Sequence, residues 1–314
     1  MGVKMRKKIT AAFLTSILLV SFLSACSAKA ENTEPAVSDQ QAGTEAAGAP
    51  TPEDTSNNTK PEPSAEQLLF TIESYPLYEI EDGRLIASGS YENIRLSEET
   101  SARYQELDYA LHMVNSDISR RAKQYFDEVE DESRDYLQND RESNVYGTMN
   151  ITIEPVRFDK DVLSFFECKE VSVPGASHPT QEYSAYNYNT AAESPIMIAD
   201  VVSDLAGLAS AVKDNLVTLS DGKPFSDVEV EPEKYLNENA GNLPWVIDRD
   251  ALVLRFAPGS IAPYAAGTLE ARIPFSEYPD LFTDKWSAPE GAYAGMIIPY
   301  VRNAVDLDGD DMRS

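Results

Sequence analysis

A long segment without glycine or proline runs from Tyr91 to Tyr146 and restricts this part of the chain to regular structure. Ser97 is a suitable N-cap, and Glu98 and Glu99 would place negative charge in the first helical turn. Apolar residues then recur at steps of three and four, the spacing of one helix face. That face comprises Tyr104, Leu107, Leu111, Val114, Ile118, Ala122, Tyr125 and Val129. The pattern predicts a helix from residue 98 into the 130s that packs on a sheet, with a partner-binding face as the alternative.

Period-two alternation of apolar and polar residues occurs on both sides of this helix and predicts strands. Before the helix, Asp82-Gly83 lies between two apolar runs and is a strong signal for a hairpin turn. After it, two further runs are joined by a turn at Asp159-Lys160-Asp161. The predicted strands cover 68–78, 85–96, 145–158, 162–173, 180–189, 245–247, 251–256 and 268–275.

Two shorter helices are expected in the second half of the chain. Asp200 is placed to open the first of them, and a short helix is expected at 232–239. The apolar face of the first comprises Val202, Leu205, Leu208, Val212 and Leu216. Strands joined by short turns, with a few helices between them, indicate an α+β fold. We expect a mainly antiparallel sheet with a long amphipathic helix and a second, shorter helix packed on it.

The N-terminus has the parts of a bacterial secretion signal. Four cations precede an uncharged apolar run at 9–23, which is shorter than the roughly 20 residues of a membrane-spanning helix. The run ends in Leu23-Ser24-Ala25-Cys26, which resembles the lipobox of bacterial lipoproteins. We expect residues 1–25 to be a signal peptide and Cys26 to carry fatty chains such as palmitate, which anchor the protein on the extracytoplasmic face of the cell membrane. An ordinary secreted protein with a chance cysteine is the alternative.

The segment 26–66 is expected to be a disordered acidic tether, because it holds five prolines and no aromatic residue. Loss of 1–25 removes four cations and takes the formal net charge from −27 to −31. Such a charge repels phosphate backbones, so charge and export together exclude nucleic acid as a partner. A basic protein or a cation remains open as a partner, and solubility alone is the other explanation of the charge.

Two stretches resemble a known extracellular domain. The first is Pro174-Gly175-Ala176-Ser177-His178-Pro179, followed by 186–190 and 196–202, and the second is 252–267, continuing to 281. Together they resemble the C-terminal domain of the RsiV-type anti-sigma factors, which also occurs in Gram-positive lipoproteins and in PdaC-like proteins. Relative to the family's glycine-alanine-histidine turn, Ser177 is inserted before His178. The resemblance covers 145–283. Residues 67–144 fit the smaller domain that usually precedes it, and 284–314 form a C-terminal extension with an acidic tail.

This resemblance implies a non-catalytic binding or sensor role. In RsiV the domain binds lysozyme, and that binding exposes the protein to regulated proteolysis. A cytoplasmic sigma-binding segment and a transmembrane helix are not expected here, so only the extracellular half of the analogy would carry over. The implied partner is a basic protein such as lysozyme or a cell-wall component.

The candidate ligand-binding residues are His178, Tyr186, Tyr188 and Tyr264. Two prolines flank the stretch before Tyr264 and push the preceding residues toward extended geometry, which fixes the direction of its ring. Tyr186 and Tyr188 lie on one side of a predicted strand. A rim that presents these side chains to a ligand is one interpretation, and a corner packed into the core is the other.

The inventory of catalytic groups argues against an enzyme. His112 and His178 are the two histidines of the chain, and His112 falls beside the apolar helix face. Metal-site spacing of histidine or cysteine and phosphate-binding glycine loops do not occur in the sequence. Cys168 lies in a predicted strand and is expected to be inert. The alternative is an envelope hydrolase acting on peptidoglycan, because 53 acidic residues make carboxylate pairs unavoidable.

Asp306, Asp308 and Asp310 near the C-terminus have the alternate spacing of Ca²⁺ ligands in calcium loops. However, Asp311 stands where a glycine normally makes the sharp turn, and the bidentate acid would fall beyond Ser314. Either the site borrows ligands from elsewhere, or this is an acidic tail without metal. No other cofactor is expected.

Overall fold

The computed structural model describes residues 67–140, 145–283, 286–287 and 300–304. The predicted signal peptide, Cys26, the tether and the motif at 306–311 lie outside the described residues. The strands are β1 (Phe70–Glu81), β2 (Arg84–Leu96), β3 (Gly147–Phe158), β4 (Val162–Ser172), β5 (Thr180–Asn189), β6 (Ser194–Pro195), β7 (Leu216–Thr218), β8 (Trp245–Ile247), β9 (Ala251–Phe256), β10 (Leu269–Pro274) and β11 (Tyr300–Ala304). The helices are α1 (Glu98–Arg103), α2 (Gln105–Asn139), α3 (Ile198–Val201), α4 (Leu205–Asp214) and α5 (Pro232–Glu238), with a 3₁₀ turn at Tyr264–Ala266.

The strands form two sheets. The larger has seven strands in the order β11-β1-β2-β3-β4-β5-β6, and the smaller has the order β7-β10-β9-β8. Among the described strands, pairing is antiparallel except between β1 and β11 and between β2 and β3. The predicted α+β class with a mainly antiparallel sheet is confirmed.

The β1–β2 hairpin follows from the chemistry of its turn. Asp82 has φ 50° and Gly83 has φ 78°, and both left-handed conformations are required by the turn type that best matches strand twist. The resulting register places Ile72 opposite Ile94, and both side chains are fully buried. The hairpin expected from the Asp-Gly signal is therefore confirmed.

The long helix α2 covers one face of the larger sheet and contacts β2 and β3. Its buried residues are Leu107, Leu111, Ile118, Ala122, Phe126, Val129, Ser133 and Leu137. The expected apolar face is confirmed in its main residues, although Tyr104, Val114 and Tyr125 are half-buried and Phe126 is buried instead. Ser97 also acts as predicted, since its Oγ accepts a hydrogen bond from the backbone N–H of Thr100 at 3.2 Å.

The prediction of a single helix from residue 98 is wrong at Tyr104, whose φ of −125° and ψ of 70° separate α1 from α2. The new helix start needs acceptors for its free N–H groups. The carboxylate of Glu193, in the loop between β5 and β6, accepts from the N–H of Glu106 at 2.6 Å and of Leu107 at 3.1 Å. A residue far along the chain therefore caps the start of α2.

The smaller sheet has its own core, on which α4 packs against β10 and α5. Its fully buried residues include Leu208, Val212, Leu252, Leu254, Phe256 and Ile273. The prediction that Asp200 opens this helix is wrong. Asp204 caps α4 instead, because its carboxylate accepts from the N–H of Ala206 at 3.0 Å, while Asp200 accepts from the N–H of Met197 at the start of α3. Leu216 lies in β7 rather than in the helix.

The central strand β4 is buried on both faces. Phe165 belongs to the core beneath α2, whereas its neighbour Phe166 clusters with Val246 and Val253 of the smaller sheet. The larger sheet therefore lies between a helical layer and the smaller sheet, as layered domains require. None of the described helices has the length and apolar character needed to cross a membrane.

Candidate functional site

The two sequence motifs meet at the loop between β4 and β5. The ring of His178 stacks on the ring of Tyr264, with centroids 3.6 Å apart and planes at 20°. The hydroxyl of Tyr264 donates to the carbonyl oxygen of Pro179 at 2.6 Å. His178 is exposed and Tyr264 is half-buried, so the pair forms a surface that we call the aromatic rim.

The rim is supported by hydrogen bonds between β5 and the start of β10. The hydroxyls of Tyr183 and Thr268 lie 3.3 Å apart, and Thr268 also donates to Oε1 of Gln181 at 3.3 Å. Burial raises the pKa of Tyr183 to about 12, so its hydroxyl stays protonated at neutral pH. These contacts hold the loop that carries Tyr264 against the strand that follows His178.

Tyr186 and Tyr188 lie on one side of β5 as predicted, on the face that α2 covers. Among the described residues, no ring contact or hydrogen bond joins either of them to the rim. Tyr186 donates to Glu167 at 3.1 Å, accepts from Arg121 at 3.3 Å and stacks on Phe165 with centroids 4.9 Å apart. Tyr188 is buried in the same core. Burial raises the pKa of both tyrosines, and a ligand-binding role for them stays a prediction.

A buried arginine was missed by the sequence reasoning, although a charge inside an apolar strand was a usable signal. Arg255 in β9 is 6% exposed and donates to both oxygens of Glu154, at 2.5 and 2.7 Å, and to Glu270 at 3.0 Å. Its guanidinium lies 4.3 Å from the ring centre of Phe166. Nearby in the same layer, burial raises the pKa of the Cys168 thiol, which keeps it protonated and weakly nucleophilic.

A groove of about 520 Å³ runs along the outer side of β5. We call it the β5 groove, and its lining is 182–188, 195–198, 240–243 and Trp245. Met197 in this lining is 64% exposed. His112 is exposed on α2 and lines a separate groove with Glu73 and Arg95.

Three carboxylates approach one another where the β1–β2 hairpin contacts α2. Oxygens of Glu79, Glu81 and Glu130 lie within 4.8 Å. Arg134 donates to Glu81 at 2.6 Å and to Glu130, so one guanidinium offsets part of the negative charge of the three carboxylates. Burial, followed by the neighbouring carboxylates, raises the pKa of Glu79. The three carboxylates and Arg134 form an ion-pair cluster, and the predicted calcium ligands lie outside the described residues.

Comparison with known proteins gives one family match, over residues 208–276. The family is DUF3298, described as a protein of unknown function. The DUF3298 match begins inside α4 and ends just after β10, so it includes Tyr264. His178, the other half of the rim, precedes it.

Two solved DUF3298 structures are similar to this chain. The member from Bacteroides fragilis is 12% identical, covers 70% of this chain and 96% of its own, and has a TM-score of 0.49. The protein from Pseudomonas aeruginosa is 12% identical, covers 71% and 98%, and has a TM-score of 0.46. No curated protein matches the chain.

Proposed function

We propose that this chain is a lipid-anchored protein of the bacterial cell envelope with a non-catalytic binding or sensor role. The anchor is a lipid on Cys26, which becomes the N-terminal residue when the signal peptide 1–25 is cleaved off. The partner is a basic extracellular protein such as lysozyme, or alternatively a cell-wall component. The finer assignment, to the RsiV-type domain, rests on the two motifs and agrees with the DUF3298 match in the second of them.

The aromatic rim is the observation that carries this proposal. His178 and Tyr264 come from motifs far apart in the sequence, yet their rings stack on an accessible surface. Rigid aromatic side chains are enriched among the residues that dominate binding energy. The hydrogen bond from Tyr264 to Pro179 fixes the pair before any partner arrives. A prearranged aromatic surface of this kind suits recognition, because little side-chain entropy is lost on binding.

The charge of the chain supports a basic partner. A formal net charge of −27, or −31 without the signal peptide, attracts cations over the range of the Debye length. Such attraction raises the association rate of an oppositely charged protein and weakens as salt is added.

The test is retention of hen lysozyme by the immobilised full chain in detergent, across a series from about 50 to about 500 mM NaCl. We expect retention at low salt and its loss at high salt. His178→Ala and Tyr264→Ala should weaken binding about tenfold or more, as expected for central aromatic contacts. His112→Ala is the matched control, because that histidine is exposed on α2 and should not affect binding.

Two outcomes contradict the proposal. Absence of retention at low salt would remove lysozyme as the partner. Release of soluble fragments from purified cell walls by the wild-type chain, lost in His178→Ala, would instead identify a hydrolase.

A further inference from the structure

We propose that the outer edge of β5 binds an extended segment of another polypeptide as an additional strand. The segment carries apolar side chains at alternate positions and a net positive charge. This surface adjoins the aromatic rim, because Gln181 and Tyr183 also make the hydrogen bonds that support the rim, but it does not include His178 or Tyr264. Its partner need not be the one proposed for the rim.

The backbone hydrogen bonds of β5 show which residues face the open edge. The N–H of Thr190 donates to the carbonyl of Asp161 on the β4 side, and the carbonyl of Asn187 accepts from the N–H of Ile196 on the opposite side. In an antiparallel strand both backbone groups of a residue point to one side, and neighbouring residues alternate. The residues whose backbone groups face outward are therefore Gln181, Tyr183 and Ala185.

This outward edge is open along most of β5. Between the described strands, pairing on that side is limited to Tyr188 with Pro195 and Asn189 with Ser194. Within the part of the chain that the structure describes, no backbone hydrogen bond reaches the outward groups of 181–185. The open stretch 180–186 is about 20 Å long at the usual rise per residue. It is long enough to pair with a peptide of six or so residues.

Nothing in the sequence of β5 protects this edge. Natural sheet edges are usually blocked by lysine, proline or a bulge. β5 contains no lysine, arginine or proline, its pairing with β4 is regular, and Glu182 is its one charged residue. An unprotected edge of this kind is the template that peptide-binding domains use for strand addition.

The β5 groove gives an added strand a defined position and composition. Seven consecutive residues of β5 line it, and the exposed Met197 together with Leu243 and Trp245 supplies apolar surface. Among the described residues that line the groove, Glu182 is the one with a charge, and it pairs with Lys169 at 2.9 Å, so the attraction for a cation comes from the protein as a whole. Apolar side chains at alternate positions would contact the apolar surface, and positive charge on the segment would be attracted by a strongly acidic protein. A second copy of this chain fits less well, because it carries the same negative charge.

The test uses a synthetic peptide of alternating valine and lysine, eight residues long, labelled for fluorescence anisotropy and titrated with the full chain in detergent. The control peptide has the same sequence and charge but is N-methylated at its four central residues, which removes their N–H donors. We expect the control peptide to bind at least about tenfold more weakly, because it loses backbone hydrogen bonds while its charge is unchanged. Equal binding of both peptides would overturn the proposal.

Protein variants locate the binding surface. Ala185→Pro removes an outward N–H without removing a bond to β4, and should weaken peptide binding about tenfold. Ser220→Ala is the control and should bind as the wild type, because Ser220 is exposed in a turn and does not line the β5 groove. His178→Ala should also leave peptide binding unchanged, which separates this inference from the function of the rim.

Two results from these variants contradict the inference. One is undiminished binding by a folded Ala185→Pro. The other is a wild-type dimer in sedimentation that Ala185→Pro dissociates, since the edge would then be occupied by a second copy. If Ala185→Pro does not fold, the comparison of the two peptides still decides.

Discussion

Replacing Arg121 with methionine is expected to destabilise the protein far more than the same change at its neighbour Arg120. Arg121 on α2 donates to both oxygens of Glu167, at 2.6 and 2.7 Å, and the Glu167 side chain is only 2% exposed. After the change, the carboxylate keeps the hydrogen bond from Tyr186 but has no guanidinium and almost no access to water. An unpaired buried charge of this kind costs about 3–5 kcal/mol.

The control separates burial from simple loss of charge. Arg120 pairs with Asp117 at the surface, where its side chain is 64% exposed, so Arg120→Met should cost about 0–1 kcal/mol. Urea unfolding followed by tryptophan fluorescence gives the free energies of both variants. The melting temperature of Arg121→Met should fall by about 6–20 °C for a protein of this size.

A second change tests the cause directly. Glu167→Gln in the Arg121→Met background removes the stranded charge and should restore more than about 1 kcal/mol, because the two residues are coupled. Equal destabilisation by the two arginine changes, or no recovery with Glu167→Gln, would refute the view that this ion pair joins α2 to the sheet.

Three further predictions concern stability. Burial raises the pKa of Tyr183 to about 12, against 10.0 in the unfolded chain. The stability that the protonated hydroxyl contributes to the folded state is therefore fully present below pH 10 and is lost between pH 10 and 12. Tyr183→Phe should therefore flatten the alkaline decline by about 1.4 kcal/mol per pH unit, measured from urea unfolding at several pH values. Gly89→Ala should prevent folding or cost more than about 3 kcal/mol by the same measurement, since an added Cβ would overlap the carbonyl oxygen of Met149. Asp204→Ala should cost about 1 kcal/mol by loss of the bond to the N–H of Ala206, and no change in the thermal midpoint would contradict the assigned cap.

Local signals in the sequence predicted the elements that depend on neighbouring residues. The Asp82-Gly83 turn and the Ser97 cap act within a few residues, so both could be recognised without the fold. The break at Tyr104 could not be recognised, because no glycine or proline marks it and the start of α2 is capped by Glu193, from the distant loop between β5 and β6. The prediction that Asp200 caps α4 was wrong although aspartate is a good cap, because Asp204, four residues later, is an equally suitable cap and is the one that precedes the helix.

The candidate site also combines residues that local sequence signals indicated with residues whose roles depend on the fold. The stiff, proline-bounded loops drew attention to His178 and Tyr264, and the structure brings the two rings together. Periodicity also placed Tyr186 and Tyr188 on one side of β5, but it does not say which layer covers that side. A charge inside an apolar strand marked Arg255 as unusual, but its partners Glu154 and Glu270, like the open edge of β5, are set by the fold and could not be predicted from spacing.

Phe165 and Phe166 are adjacent in β4 but pack in different apolar clusters, on opposite faces of the larger sheet. The larger sheet is therefore a wall common to the helical layer and the smaller sheet. The long helix cannot detach without exposing one side of that wall, and the smaller sheet cannot detach without exposing the other. Heating should therefore melt the helical layer and the smaller sheet together, in one calorimetric transition. Proteolytic cleavage that unfolds either the helical layer or the smaller sheet should therefore also unfold the other, because one face of the larger sheet would lose its packing.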